Sequence, residues 1–248
     1  MQSFPPASEL KAAVLWIDEN NTVRQYETYY NTNIIVKSGI IYTRTFFSNN
    51  VKYRHDTYFA VSRNSDEAFR TVEWYNINGA VVRREWFYRL ENPKKENVRH
   101  MIHEYNRSGA LTAEYLFYAA LFTELKGIPL SVTRYQNGCL ISEEIYYTDV
   151  YAQNNNGIIR CFSEFSHERS PKRTTYYYSD EFINKNNIIN MILFYDNAGN
   201  GSRIEYFYTE QFTRENAYDR KCEFLKDGKP ELIKYYLEDE LVNTVNKG

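Results

Sequence analysis

Glu73-Trp74-Tyr75-Asn76-Ile77-Asn78-Gly79, Glu104-Tyr105-Asn106-Arg107-Ser108-Gly109 and Phe194-Tyr195-Asp196-Asn197-Ala198-Gly199 carry one signal: an aromatic residue followed four positions later by a turn glycine. Self-similarity at a fixed period decides the fold class before any single motif does. Working outward from these three segments, one aromatic column runs Trp16, Phe46, Tyr75, Tyr105, Tyr135, Phe165, Tyr195, Phe224. Two further columns sit side by side: Tyr29-Tyr30, Tyr58-Phe59, Phe87-Tyr88, Phe117-Tyr118, Tyr146-Tyr147, Tyr177-Tyr178, Phe207-Tyr208 and Tyr235-Tyr236. Successive members lie 28 to 31 residues apart, and all 24 slots are aromatic although aromatics make up 17% of the chain. Chance does not fill such columns, so the chain is read as eight tandem repeats of about 30 residues.

Turn chemistry falls between the columns. Asn20-Asn21, Asn49-Asn50, Asn78-Gly79, Ser108-Gly109, Asn137-Gly138, Ala198-Gly199 and Asp227-Gly228 are read as hairpin turns, because Asn, Asp and Gly accept the positive φ these turns require. The sixth copy has Glu168-Arg169-Ser170-Pro171-Lys172 and is expected to form a longer loop. A second series of turns is expected at 37–39, 63–66, 92–95, 126–127, 154–157, 184–187 and 213–216. Two turns per repeat leave two strands each. The expected fold is therefore all-β, an up-and-down antiparallel meander of about sixteen strands in an open or curved single sheet. Helical periodicity is absent almost everywhere, with at most one short turn at Ser8–Ala13. The domain organisation is read as an N-terminal segment (1–13), one repeat domain (14–240) and a C-terminal tail (241–248).

Adjacent residues of a strand face opposite ways, so the paired columns put one aromatic ladder on each face. The face of the second member is the more apolar. The opposite face alternates polar residues with the ladder Tyr29, Tyr58, Phe87, Phe117, Tyr146, Tyr177, Phe207 and Tyr235, which forms a candidate binding surface. A second candidate is an acidic stripe, Asp149, Asp180, Glu210 and Glu238, at one slot of four successive repeats. Its members would lie two strands apart, about 9–10 Å, too far to share a proton or one cation. The alternative closure is a β-barrel, in which Val14–Ile17 would pair near Ile233–Leu237. Mid-strand charges at Glu27, Glu85, Glu144 and Glu205 on one face, and at the acidic stripe on the other, disfavour membrane insertion.

The remaining chemistry is sparse. The net charge of −2 offers no basic surplus for nucleic acid. Cys139, Cys161 and Cys222 form neither a disulfide framework nor a metal knuckle. His100 and His103 are expected on opposite faces of a strand, where they cannot share a metal. No nucleophile elbow and no phosphate-cradling loop is present, so no catalytic residue, metal or cofactor is assigned. The basic run Pro93–His100 reads as a solvated loop. The first residues show no signal-peptide pattern, and a periplasmic or envelope location is expected if a leader has been removed.

The turn segments Tyr75–Gly79, Tyr105–Gly109 and Tyr195–Gly199 resemble the Tyr-Asp-x-x-Gly core of YD/RHS-type repeats, and are similar to the hairpin repeats of the MORN-like antitoxin family. Both families have shorter periods. The resemblance implies a tandem-hairpin architecture, a bacterial setting and a role as shell, scaffold or interaction surface. It supplies no catalytic residue. The expected function is a non-enzymatic bacterial repeat protein with an extended aromatic-rich binding or scaffolding surface, associated with the envelope, for a protein, glycan or lipid partner. The alternative is a β-barrel carrier or pore for an apolar ligand.

Overall fold

The repeat unit is a hairpin, and its turn chemistry sets the register of the strands. The computed structural model describes residues 7–60, 68–89 and 97–247. Two units divide the chain, residues 1–119 and 120–248. The first holds β1 (Leu10–Ile17), β2 (Val23–Tyr30), α1 (Thr32–Ser38), β3 (Ile40–Ser48), β4 (Val51–Phe59), β5 (Arg70–Tyr75), β6 (Val81–Phe87), β7 (Val98–Tyr105) and β8 (Leu111–Tyr118). The second holds α2 (Ala120–Lys126), β9 (Leu130–Gln136), β10 (Cys139–Tyr146), α3 (Asp149–Asn154), β11 (Ile158–Phe165), β12 (Pro171–Tyr178), α4 (Asp180–Asn186), β13 (Ile188–Tyr195), β14 (Gly201–Tyr208), α5 (Glu210–Asn216), β15 (Arg220–Lys226), β16 (Lys229–Leu237) and β17 (Glu240–Asn246).

Within each unit every strand pairs antiparallel with its sequence neighbour, as an up-and-down meander requires. The barrel alternative fails: β1 pairs with β2 and β17 pairs with β16, and the sheet is not closed. The described residues form seventeen strands, against the expected number of about sixteen. Most of the segment expected as a C-terminal tail is strand, since β17 begins at Glu240 and pairs along β16. At the other end, β1 begins at Leu10 rather than at 14.

Two kinds of hairpin turn recur. Asn137-Gly138 and Asp227-Gly228 are two-residue turns with both φ angles positive, at 52° and 77° and at 52° and 75°. In the longer type, Asn76, Asn106 and Asp196 accept backbone N–H groups two and four residues on through a side-chain oxygen, and a glycine at φ near 80° closes the turn. The sixth copy does not form the expected longer loop. Five residues separate β11 from β12, as between β13 and β14, and Arg169 at φ 63° takes the glycine position.

The second turn series departs further from expectation. Five of its positions carry short helices, α1 to α5. The turns expected at 63–66 and 92–95, and residues 93–96 of the basic run, lie outside the described residues, while Val98, Arg99 and His100 of that run belong to β7 and not to a solvated loop. The helices have a local cause. Asn31, Thr148, Ser179 and Thr209 directly follow the aromatic pair, and each side chain accepts the backbone N–H three residues on, capping α1, α3, α4 and α5. That third residue is Tyr151, Phe182 or Phe212 in α3, α4 and α5. Its ring stacks on the second member of the pair: Tyr147–Tyr151 at 4.5 Å, Tyr178–Phe182 at 4.4 Å, Tyr208–Phe212 at 4.3 Å. Past the helix a left-handed residue, directly after α2 and α4 and three residues beyond α3, sends its carbonyl to the next repeat. Gly127 accepts from Thr148 N at 2.8 Å, Gly157 from Ser179 N at 2.8 Å, and Asn187 from Thr209 N at 2.9 Å. At Gly157 nothing larger fits, since a Cβ would stand 2.3 Å from that of Phe182.

The buried apolar residues are few and divide between the faces: Tyr88 and Tyr178 on the more apolar one, Val72, Ile102, Val132 and Cys222 beside the acids on the other. In the first unit Ala68, Tyr88 and Val98 are buried and pack with Trp86, Met101, Leu116 and Tyr118. In the second unit the buried residues include Ala152 of α3, Tyr178, Cys222 and Ile233. Burial holds the thiols of Cys161 and Cys222 up at about 11.

Candidate functional site

Directly paired residues of an antiparallel ladder share a face, so the register shows which side chains meet. In the first unit one row crosses β2 to β8: Tyr29, Tyr42, Tyr58, Arg70, Phe87, His100, Phe117. Each strand contributes one planar group, and the planes lie nearly parallel. Tyr29 and Tyr42 stack at 5.4 Å, Tyr42 and Tyr58 at 4.2 Å, Phe87 and His100 at 4.2 Å, His100 and Phe117 at 5.1 Å. The Arg70 guanidinium bridges the gap, 5.3 Å from the Tyr58 ring and 5.1 Å from that of Phe87. The strand spacing of about 4.8 Å favours this, because it nearly matches the separation of stacked rings.

The second unit repeats the row with interruptions: Leu130, Tyr146, Arg160, Tyr177, Asn190, Phe207, Arg220, Tyr236. Arg160 lies 3.8 Å over Tyr177, and Arg220 lies between Phe207 at 5.9 Å and Tyr236 at 4.7 Å. Seven of the eight expected ladder residues, Tyr29 to Phe207, thus lie in the rows. Tyr235 does not. It pairs with Lys221 on the opposite face, where its ring meets Tyr218 at 4.7 Å, and Tyr236 takes the row position. Tyr236 stands eight residues after Gly228, as Tyr146 stands after Gly138, so repeat eight is one residue out of a simple column alignment.

Two positions before the first member of five of the eight pairs, the same face carries buried carboxylates: Glu27, Asp56, Glu85, Glu144 and Glu205. Each is matched by cations. Asp56 receives Arg54 Nε at 2.7 Å, Arg54 Nη2 at 2.8 Å and Arg70 Nη2 at 2.8 Å. Glu27 takes Arg44 Nε at 2.7 Å and the Tyr29 hydroxyl at 2.9 Å. Glu85 takes Arg83 Nε and Trp74 Nε1, both at 2.9 Å. In the second unit Glu144 lies between Arg134 and Arg160, and Glu205 meets Arg203 at 3.0 Å. The same guanidiniums that sit over the rings therefore neutralise the acids beneath. Burial pushes the His100 imidazole below its ordinary value despite the Glu85 carboxylate, so His100 stacks in neutral form. Burial and the bond to Tyr58 raise the Tyr42 phenol to about 12.

The acidic stripe is not on a strand face. Asp149, Asp180 and Glu210 are the first residues of α3, α4 and α5, where a negative charge complements the helix N-terminus, and Glu238 sits at φ 49° in the turn between β16 and β17. These residues do not converge on a site; Glu210 pairs with Arg214 of its own helix. His100 and His103 do face opposite ways: His100 stacks in the row, and His103 Nε2 lies 2.7 Å from Glu114. Among the described residues no His, Cys, Asp and Glu cluster of three or more is placed to hold a metal ion.

At the hairpin end of the first unit the same face opens into a hollow of about 650 Å³, lined by Trp16, Arg24, Gln25, Phe46, Phe47, Ser48 and Tyr53. Trp16, Gln25 and Phe46 are register partners. Tyr53 joins them through an irregularity: Phe46 pairs with Arg54 and Phe47 with Lys52, which leaves Tyr53 as the extra residue of a bulge, its ring 6.2 Å from Phe46.

Among known proteins, no family model matches the chain and no curated protein matches it. The likeness of its turns to YD/RHS-type and MORN-like repeats therefore rests on the motif. Among solved structures the chain is similar to TcdB2–TccC3, at 9% identity and a TM-score of 0.20, with 94% of this chain and 14% of that chain covered. At that score the likeness carries no argument about role. No helix among the described residues is long and apolar enough to cross a membrane.

Proposed function

We propose that this chain is a non-catalytic recognition module that reads an extended, chain-like ligand on its charged aromatic face. The observation that carries the reading is the row itself, one planar group per strand running across β2 to β8. A surface built by repetition offers equivalent contacts at regular spacing, which suits a ligand that is itself repetitive or extended. The carboxylates beneath are already engaged by arginines, so they offer no free base, which supports a binding role over a catalytic one. The open sheet supports this reading over the carrier or pore, which needs an enclosed lumen. The bacterial, envelope-associated setting implied by the turn motifs belongs to the same proposal.

The test is binding of the full chain to arrays of peptides and of glycans, followed by single row substitutions. Tyr42→Ala, Arg70→Ala and Phe117→Ala are each expected to weaken a bound array member a few-fold to tenfold, with losses that multiply on combination. Two results would overturn the reading. One is a captured ligand whose affinity ignores all three substitutions. The other is turnover of the ligand by the wild-type chain.

A further inference from the structure

We infer that the hollow at the hairpin end of β1 to β4 is a subsite for a neutral saccharide. This deepens the recognition reading above and rests on it. The hollow is shallow and open to solvent on the sheet face. It presents two kinds of group together. The first is aromatic surface that the fold leaves unspent: Trp16 is 56% exposed and Tyr53 is 38% exposed. Among the described residues, the Trp16 indole N–H has no hydrogen-bond partner and its ring has no ring contact, in contrast with Trp74, whose Nε1 is bonded to Glu85. The second is short polar side chains at the same mouth, the Ser48 hydroxyl and the Gln25 amide. Gln25 spends its Nε2 on Glu27 at 2.8 Å, which leaves its carbonyl oxygen for a donor.

Charge narrows the ligand class. Arg24 is the one charged side chain lining the hollow, and its guanidinium is held by Asp18 through Nε at 2.7 Å and Nη2 at 2.6 Å. The cation is therefore compensated, and an anionic ligand gains little. The neighbouring face of Phe46 is also engaged, with Arg54 5.0 Å from its ring centre. What is left is flat apolar surface beside a hydroxyl, an amide and an indole N–H. A pyranose ring complements that set: its C–H face lies on an aromatic plane while its hydroxyls donate and accept at the edge. A free acyl chain would leave these polar groups unmatched.

The experiment uses the full chain labelled with ¹⁵N, which gives three indole N–H signals, from Trp16, Trp74 and Trp86. An array of neutral glycans identifies the probe. Cellohexaose and maltohexaose are then titrated to about 5 mM, alongside any array hit, a range that detects the weakest specific binding. The Trp16 signal is expected to move saturably while the Trp74 and Trp86 signals stay in place. Trp16→Ala is expected to reduce affinity at least tenfold, and Tyr53→Ala several-fold. Trp16 is exposed on an edge strand, so an unchanged remainder of the spectrum should show that the variant is folded; if it is not, Trp16→Phe, which keeps a ring, supplies the comparison by retaining part of the affinity. A glycan array with no hit, or a sugar whose binding ignores both Trp16 substitutions, overturns the subsite. If a peptide instead binds through Tyr42, Arg70 and Phe117 while no sugar moves Trp16, the saccharide subsite fails and the recognition reading stands.

Discussion

The two units start from the same 30-residue repeat and hold their strands together differently. In the second unit, α3, α4 and α5 each lay an aromatic ring on the Tyr of the preceding pair. The left-handed residue whose carbonyl reaches the next repeat is common to both units, at Gly39 and Asn97 as at Gly127, Gly157 and Asn187. In the first unit the one helix in the described connections between repeats is α1, and the weight shifts to the opposite face. There the planar row is unbroken from Tyr29 to Phe117, and Asp56 sits fully buried between two arginines. The second unit's row is interrupted at Leu130 and Asn190, and its acids Glu144 and Glu205 are buried about as far as Glu27 and Glu85, short of Asp56. A repeat therefore tolerates loss of one stabilising device where the other face supplies a substitute. A single sheet with few fully buried aliphatic residues needs both, because it lacks a second layer to pack against.

Breaking the charged lattice should expose the first unit's dependence on it. Asp56→Ala strands Arg54 and Arg70 with their charges uncompensated in a half-buried setting, and is expected to cost about 3–5 kcal/mol. Glu205→Ala, which removes the one carboxylate paired to Arg203, should cost about 1–2 kcal/mol. Urea unfolding of both variants checks the contrast. Equal costs would show that the two lattices are equivalent.

The second unit is broken at its glycine. Gly157→Ala adds a left-handed penalty at φ 74° to a collision with Phe182, and is expected to cost about 3 kcal/mol. Gly79→Ala, at φ 80° with no neighbouring atom within 4 Å, should cost only the backbone share, about 1–2 kcal/mol. Thermal melts of the pair separate strain from overlap.

A smaller effect is expected from acid. Burial pushes the His55 imidazole below its ordinary 6.5, so the folded state prefers it neutral. The unfolded chain then binds the extra proton as pH falls, and this part of the stability is full above about pH 6.5 and declines below it. His55→Gln, placed beside Thr45, should flatten the stability profile between about pH 7 and 5. A profile as steep as wild type would assign acid sensitivity elsewhere. The smallest effect is a gain: Ala217 ends α5 at φ 59°, and Ala217→Gly should stabilise the second unit by about 1 kcal/mol.

Much of this was legible in the sequence. The three aromatic columns place the strands, and the Asn-Gly and Asp-x-x-Gly turns place the hairpins, because Asn, Asp and Gly take the backbone angles involved most readily. The helices were not legible through periodicity, since six or seven residues are under two turns. Their signal is the cap: Asn31, Thr148, Ser179 and Thr209 follow the aromatic pair, with an aromatic three residues later in the last three. Read this way, Asp149, Asp180 and Glu210 belong to helix N-termini rather than to a strand face. The candidate row was half legible. Tyr29, Tyr58 and Phe87 stand in a column, but Tyr42, Arg70 and His100 come from the alternate strands, whose residues vary in type and share only planarity. The buried acids Glu27, Glu85, Glu144 and Glu205 were visible as mid-strand charges, while their arginine partners appear only once the strands are in register. Tyr235 falls off the row because Tyr236, eight residues after Gly228, is the equivalent of Tyr146, eight residues after Gly138, and the tyrosine pair in repeat eight draws the column one residue early.

The central claim is that each repeat leans on its sequence neighbours in an open sheet. The direct test is excision of one repeat, residues 158–187, which joins Gly157 to Ile188 at equivalent positions of successive repeats. Circular dichroism and thermal melting of the shortened chain should show retained β structure and a cooperative transition, at somewhat lower stability. A shortened chain without cooperative unfolding would contradict the account, because it would mean that the removed strands held together more than their neighbours.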